Sequence, residues 1–325
     1  MHKDAERDDF MKVAIPFRHQ ATHICDEARE MLKDAGFTLV CNETGRSLTF
    51  EEQREMIAGA FAIIAGTEKY DAAMLEGCDA LRAIIRFGVG VDNFDVPLLK
   101  RMGVQVGVIA NYNAVAEFAV LLILSAMKNL PQLDRDLRQG KWSRYPMQEL
   151  TGKTVGLVGF GRIGRRVAEL LAGFGVKLLA YDPFMRPEEA QKRGVTPVPF
   201  ETLLAESDIV SLHLPATEET YHIMDERAFA RMKEGAILIN TARGKLVDEA
   251  ALVRTLESGH LRAAGLDVYE KEPVTSPNNP LFGMDRTTLT PHTAAITQET
   301  NYNGGITCAQ SILNVLHGGQ VVYPL

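Results

Sequence analysis

An α/β chain built from two doubly wound parallel-sheet domains is the fold class that the sequence predicts, and three observations carry it. A length of 325 residues is two domains' worth at roughly 150 residues each. Short apolar runs alternate with stretches of helical period, the pattern of a parallel sheet covered by helices on both faces. That alternation begins afresh near Lys153, so two sheets fit better than one. The composition, 46% hydrophobic and 24% charged, excludes a disordered or fibrous chain.

The first series opens with a strand at 12–15 and a helix at 22–35 that Gly36 stops. A strand at 37–41 follows, then a helix at 51–59, a strand at 61–65 and a helix at 71–77. Strands at 83–86 and 104–108 complete the set. A long apolar helix at 114–130 is expected to end before Pro131, whose ring and missing N–H break helices. The second series contributes strands at 154–158, 177–180, 208–214, 236–240, 263–268 and 287–290. An amphipathic helix at 301–317 comes after the second sheet is complete, and therefore returns to the first domain. No internal repeat and no low-complexity linker interrupts the pattern.

Charge and cysteine usage narrow the function classes. The formal net charge is -7 with acids and bases interspersed, so neither nucleic acid nor an anionic membrane is the expected partner. The most apolar stretch, 118–127, is shorter than the roughly 18 residues a spanning helix needs. The charge-dense leader at 1–10 lacks the apolar core of a secretory signal. Cys25, Cys41, Cys78 and Cys308 lie far apart with no His cluster nearby. They read as free thiols of a reducing cytoplasm, and no metal is expected.

The strongest local signal is Val155-Gly-Leu-Val-Gly159-Phe-Gly161-Arg-Ile-Gly164, directly after a strand and opening a helix that runs to about Phe174. Gly159 permits the tight turn, Gly161 lets the backbone approach a pyrophosphate, and Gly164 lets helix and strand pack closely. The helix N-terminus offers free N–H groups to phosphates. Glycine-rich turns are common, so context decides. The next strand ends at Asp182, 18 residues beyond Gly164, where a carboxylate can accept from ribose hydroxyls and repel a 2′-phosphate. This predicts NAD.

Three residues follow strand ends: Arg243 in Asn240-Thr-Ala-Arg-Gly244, Glu272 before Pro273, and His292 in Thr290-Pro-His-Thr. Ligands of doubly wound sheets bind outside the carboxyl ends of the strands, so all three point to one crevice. Reduction of a 2-keto acid needs a fixed cation, a proton donor, and a carboxylate that stabilises the donor's charged form. Arg, His and Glu supply these in turn. Singly, each could be a surface cation, a satisfied loop histidine or a solvated acid; their shared placement behind a dinucleotide motif favours chemistry.

With these residues in place, the chain resembles the D-isomer-specific 2-hydroxyacid dehydrogenases, the group that includes phosphoglycerate dehydrogenase and glyoxylate/hydroxypyruvate reductase. The resemblance runs from Lys12 to the C-terminus. It is carried by Gly88-Val-Gly-Val-Asp-Asn93, Asn113-Ala-Val-Ala-Glu117, the glycine motif with Asp182, and His213-Leu-Pro215. Asn240-Thr-Ala-Arg-Gly-Lys-Leu-Val-Asp-Glu249, Gly265-Leu-Asp-Val268, Glu272-Pro273 and Pro291-His292 complete the set. The resemblance implies Arg243 for substrate binding and polarisation, His292 as acid/base and Glu272 as its partner. It places Arg162 and Ile163 at the pyrophosphate and adds His213 and Pro215 to the cofactor site. Thr241, Ala242, Arg243, Asp267 and His292 fall at the nicotinamide end. Backbone N–H groups of Phe87, Gly88, Val89 and Gly90 would hold the substrate carboxylate. The implied architecture is a Rossmann cofactor domain, 106–296, inserted into a flavodoxin-like substrate domain, 11–105 plus 297–325. The helix from Ala114 becomes a hinge and the contact of a homodimer.

Departures bear on the substrate. Phosphoglycerate dehydrogenases usually place an Arg-Ser pair after the strand at 61–65, where this chain has Ala65-Gly66-Thr67. A principal phosphate-binding cation is therefore missing, with Lys69 the nearest candidate to replace it. The small residues after the His, usually Gly-rich, read Thr293-Ala294-Ala295. The chain reaches Leu325 without the sequence expected of a regulatory serine-binding domain. Formate dehydrogenases of the same fold carry Gln where Glu272 stands, which argues against that activity. A dinucleotide-sensing interaction protein, like the corepressors that share the fold and the triad, is the alternative that motifs alone leave open.

Overall fold

A computed structural model describes residues 11–17, 24–110 and 112–325. The charged leader at 1–10 and the start of the helix expected from Thr22 lie outside the described residues. The chain divides into two compact units, Met1–Asn111 with Ala295–Leu325, and Tyr112–Ala294.

In the first unit the sheet is formed, among the described residues, by β1 (Lys12–Ile15), β2 (Thr38–Cys41), β3 (Ala62–Ala65), β4 (Ala83–Arg86) and β5 (Gln105–Val108). The order is β2-β1-β3-β4-β5 and every pair is parallel. This is the flavodoxin-like order. Both faces are covered, which is why the strands read as unbroken apolar runs. Val13 and Ile15 enter one core with Ile64 and Ile85, while Ala14 enters the opposite core with Ile63 and Ile84. The helix Gln298–Leu316 buries Cys308, Ala309 and Ile312 in the first of these cores. After it, the Val108 N–H donates to Tyr323 O (3.1 Å) and the Leu325 N–H to Val106 O (3.2 Å). The tail thus pairs with the open edge of β5, a row of groups that would otherwise be exposed for aggregation. β5 pairs with β4 over Gln105–Val108, so a boundary between 105 and 106 would cut a strand of this sheet.

The second unit holds β6 (Thr154–Val158), β7 (Lys177–Tyr181), β8 (Val195–Pro197), β9 (Ile209–Leu212), β10 (Ala236–Asn240), β11 (Leu261–Leu266) and β12 (Thr287–Leu289). Their order is β12-β11-β10-β9-β6-β7-β8, parallel throughout. Numbered within the unit, this is the dinucleotide-binding order 3-2-1-4-5-6 with one strand added, and its direction reverses between β6 and β9. The helices Tyr112–Lys128 and Arg162–Leu171 pack together on one face, burying Ala116, Ala119, Leu122 and Ile123 with Val167 and Leu171.

Helix ends shift by a few residues from the expectation, and at one of them the physical reason differs. The apolar helix ends at Lys128, Asn129 turns left-handed (φ 50°), and a second helix runs over Leu130–Arg138. Pro131 sits in the first turn of that second helix, where its missing N–H costs nothing because it would have no intrahelical acceptor. No single helix among the described residues is long and apolar enough to cross a membrane.

Candidate active site

The glycine turn follows β6. Gly159 has φ +100°, and a Cβ there would lie 2.7 Å from the backbone of His213. A Cβ on Gly164 would meet the Gly159 carbonyl at 2.2 Å, whereas Gly161 has no atom within 4 Å. Two glycines are thus required by the chain's own packing, and the third leaves open space at the helix N-terminus. Gly161 is the N-cap of Arg162–Leu171 and provides no capping side chain, so the first-turn N–H groups face that space. Arg162 is exposed and Ile163 half-buried in this turn.

Asp182 does more than sequence reasoning assigned to it. Its Oδ2 accepts from the Phe160 N–H and its Oδ1 from the Phe184 N–H, both at 2.8 Å. The carboxylate therefore ties the glycine turn to the end of β7, and each oxygen keeps acceptor capacity for a ribose hydroxyl. On the far side of the turn, His213 Nε2 lies 3.0 Å from Ser211 Oγ, and its Nδ1 is buried with no partner among the described residues. Burial pushes this imidazole down to about 4, so it is neutral at physiological pH. Pro215 is exposed, its carbonyl accepting from Thr220 Oγ1 at 2.7 Å. Among the described residues the Thr241 hydroxyl is likewise buried without a partner. A buried imidazole nitrogen without a partner beside an open glycine turn fits a dinucleotide.

Three strand ends then build one constellation. After β10, the buried Asn240 side chain accepts from Ala242 N–H (3.0 Å) and donates to Arg243 O (2.9 Å), fixing the turn that carries Arg243. Arg243 Nη1 donates to Ala242 O at 2.7 Å. A Cβ on Gly244 would lie 1.8 Å from the Tyr269 carbonyl, so only glycine lets this turn pack against the segment leading to Glu272. After β11, Glu272 uses one oxygen to accept from Tyr269 N–H (2.9 Å) and the other to hold His292 Nδ1 (2.6 Å). A carboxylate only accepts, so Nδ1 carries the proton and Nε2 is the nitrogen left for exchange. Burial pushes the Glu272 carboxyl up, but the hydrogen bond and charge of His292, the Tyr269 N–H and the charge of Arg243 outweigh it and leave it below 4.5. The structure therefore brings Arg243, Glu272 and His292 together.

Asp267 supports the third strand end. Fully buried, its carboxylate accepts from Thr290 Oγ1 (2.6 Å), Thr293 N–H (2.9 Å) and Ala294 N–H (2.9 Å). Its carbonyl accepts from the His292 N–H at 2.8 Å. His292 itself has φ +51°, a left-handed conformation uncommon outside glycine. Sequence reasoning placed Asp267 among the nicotinamide contacts and missed this role. It also missed a second pair beside the first, His222 Nε2 at 2.8 Å from Glu270 Oε1, with Tyr221 stacked on His222. The carboxylate spacing in Glu270-Lys-Glu272 was the available signal.

In the first unit, the loop after β4 is held by Arg86, whose Nη1 donates to Phe87 O (2.9 Å) and Nε to Gly90 O (3.1 Å). The Phe87 and Gly88 N–H groups donate to Ala65 O and Arg86 O, both at 2.8 Å. That corrects the expectation that all four amides of the loop serve a ligand. Only those of Val89 and Gly90 make no hydrogen bond among the described residues.

Residues 120–294 match the model for the NAD-binding domain of D-isomer-specific 2-hydroxyacid dehydrogenases. The D-3-phosphoglycerate dehydrogenase of Archaeoglobus fulgidus is 40% identical over 313 residues, 95% of this chain and 58% of that protein. The glyoxylate reductase of Korarchaeum cryptofilum is 40% identical over 262 residues, 78% of each chain. Among solved structures, the TT0316 protein of Thermus thermophilus superposes with a TM-score of 0.88 at 30% identity, covering 97% of this chain and all of that one. The chain spans about half the length of several phosphoglycerate dehydrogenases that it matches, 49% for that of Mycobacterium bovis.

The Glu272–His292 pair has an acid signature. Because the folded carboxyl titrates below its ordinary 4.5, its contribution to stability is present above that value and is lost as pH falls through the lowered one. Across about pH 3–6, the unfolding temperature should fall more steeply with acid in the wild type than in Glu272→Gln. Parallel slopes would mean that the pair adds no stability.

Proposed function

The chain belongs to the D-isomer-specific 2-hydroxyacid dehydrogenase family, and on that premise we propose that it interconverts a small 2-keto acid and its D-2-hydroxy acid. The observation that carries this reading is the 2.6 Å contact of Glu272 with His292, at strand ends shared with Arg243 in the NAD-binding unit. When bound, NAD supplies the hydride acceptor, and NADH the donor. The glycine turn, the first-turn N–H groups at Arg162 and Ile163, and Asp182 would hold its pyrophosphate and ribose. Thr241, Ala242 and Asp267 belong to the nicotinamide end, with His213 and Pro215 beside the turn.

The chemistry of the chain itself follows from charge. Arg243 binds the substrate carboxylate and polarises the carbonyl with a fixed cation. His292 delivers a proton from Nε2 to the carbonyl oxygen in reduction and removes one in oxidation. Glu272 keeps the proton on Nδ1 and supplies the counter-charge of the imidazolium. Val89 and Gly90 give the first unit, the substrate domain of this reading, two amides for a carboxylate. The four cysteines are free, in keeping with a reducing cytoplasm. A homodimer is supported by apolar side chains exposed on consecutive elements of the second unit: Leu121, Leu130, Leu137, Trp142 and Met147.

The deciding experiment is NADH oxidation with hydroxypyruvate, glyoxylate, pyruvate and phosphohydroxypyruvate. Turnover is expected, with His292→Ala losing about 10²–10⁴ in rate; tight NADH binding without turnover of any keto acid would favour a sensor instead. In Glu272→Gln the imidazolium loses its counter-charge, so kcat for keto-acid reduction should fall while KM for NADH is unchanged. An unchanged kcat would uncouple the two side chains.

Asp182 sets the cofactor choice, since a 2′-phosphate would meet its negative charge. kcat/KM for NADH is expected to exceed that for NADPH by about tenfold or more, equivalent to roughly 1.4 kcal/mol, and Asp182→Ala narrows the gap. Equal values in the wild type would refute this, with Arg186 the cation to suspect. Light scattering after gel filtration should give a dimer mass for the wild type and a monomer mass for Leu137→Glu combined with Trp142→Glu. A monomeric wild type would remove the dimer from the reading.

A further inference from the structure

The second unit carries three side chains beside Glu272 and His292 that the mechanism above does not use: Glu249, Glu270 and His222. Glu272 ends a turn at 269–272 that closes on itself, because its own carboxylate accepts from the Tyr269 N–H at 2.9 Å. The N–H of the next residue, Glu270, donates to Glu249 Oε1. Both leading amides of the turn are therefore taken by carboxylates. The Glu270 side chain is held as well, since its Oε1 lies 2.8 Å from His222 Nε2 and accepts from the Tyr221 hydroxyl at 3.4 Å. Glu270 is gripped at its backbone and at its side chain, two positions before Glu272.

The two grips share one brace. The His222 N–H donates to Lys245 O (2.9 Å), the Met224 N–H to Leu246 O (3.0 Å) and the Asp248 N–H to Met224 O (3.1 Å), which stitches 222–224 to 245–248. Asp248 then caps the helix Glu249–Glu257, its side chain accepting from the Ala251 N–H at 2.9 Å. Glu249 is the first residue of that helix, so the cap fixes where its side chain starts. On the other flank, Gly244 packs against the Tyr269 carbonyl, and the Tyr269 hydroxyl donates to Thr290 O at 3.1 Å. The turn at 269–272 is therefore seated against the turn of Arg243 and the loop of His292, while Glu249 and His222 hold it from the brace. Burial pushes the Glu249 carboxyl up, and the charges of Glu270 and Glu272 push it further against the pull of the Glu270 N–H.

Resting on the keto-acid reading, we propose that Glu249 and His222 are positioning residues for the reaction: through Glu270 they aim the Glu272 carboxylate at His292 Nδ1. The turn at 269–272 belongs to no helix or strand, so the partners of its amides and of the Glu270 side chain set where Glu272 ends. An amide that loses its acceptor turns toward another, and the turn carrying Glu272 moves with it. The Glu272–His292 contact is 2.6 Å, and a misplacement of about 1 Å is enough to cost roughly 10²-fold in rate. Glu249 serves here as an acceptor and not as a charge, which separates its role from that of Glu272.

The test is kcat and KM for NADH with the keto acid that the wild type reduces fastest. Glu249→Ala should lower kcat by about 10- to 100-fold with KM for NADH unchanged. Glu249→Gln keeps an acceptor for the Glu270 N–H and should recover most of that loss. His222→Asn suits the left-handed backbone at 222 (φ 49°) but is too short to reach Glu270, and should lower kcat by about threefold or more. In a Glu272→Ala background no carboxylate remains to be aimed, so either substitution should cost less than about twofold. Unfolding temperatures identify any variant that fails to fold, and His222→Asn carries the result if Glu249→Ala does. Equal losses in the two backgrounds, or a Glu249→Gln variant as impaired as Glu249→Ala, would overturn the assignment while leaving the dehydrogenase reading standing. No turnover of any keto acid by the wild type would overturn both.

Discussion

A single buried carboxylate, that of Asp267, fixes the geometry on which the candidate site depends. Ionised carboxylates are expensive to bury unless their lone pairs are satisfied. Here three donors, from Thr290, Thr293 and Ala294, satisfy both oxygens, which makes the residues on either side of His292 part of the price of burial. The Asp267 N–H in turn donates to the Asn240 carbonyl at 2.9 Å, and the Asn240 side chain sets the turn of Arg243. Three chain segments remote in sequence are therefore positioned through two buried polar residues at adjacent strand ends. The left-handed backbone of His292 is held by this surrounding network.

The glycine turn obeys the same logic with fewer atoms. Asp182 binds the Phe160 amide, so the carboxylate that would read the ribose also shapes the turn that would hold the phosphates. Recognition and scaffolding share one side chain. A neutral replacement at 182 alters both, and the Gly159 and Gly164 packing leaves the turn little freedom to adapt.

Much of this was legible in the sequence because its physical causes are local. Strands buried on both faces must be continuous apolar runs, and Ala62–Ala65 or Ala236–Asn240 could be read directly. The glycine spacing reports steric limits that no other residue meets. What was illegible depended on tertiary context. Pro131 reads equally as the end of one helix or the first turn of another, and only the left-handed Asn129 decides. The hydrogen-bonding of the loop after β4 depends on where Arg86 reaches, which spacing does not encode.

The helix Gln298–Leu316 lays Cys308, Ala309 and Ile312 into the core formed by Val13, Ile64 and Ile85. That arrangement has a consequence for synthesis on the ribosome. Domains generally fold as units while the chain emerges. The contiguous unit Tyr112–Ala294 has all its strands available once its own last residue is out. The first unit does not: its early strands must wait through the whole translation of the second before the helix that covers them exists. During that interval the apolar face of β1, β3 and β4 is covered only in part, by the helix Asp26–Asp34 with its buried Ala28 and Leu32. The first unit therefore completes its core only after the second has been made.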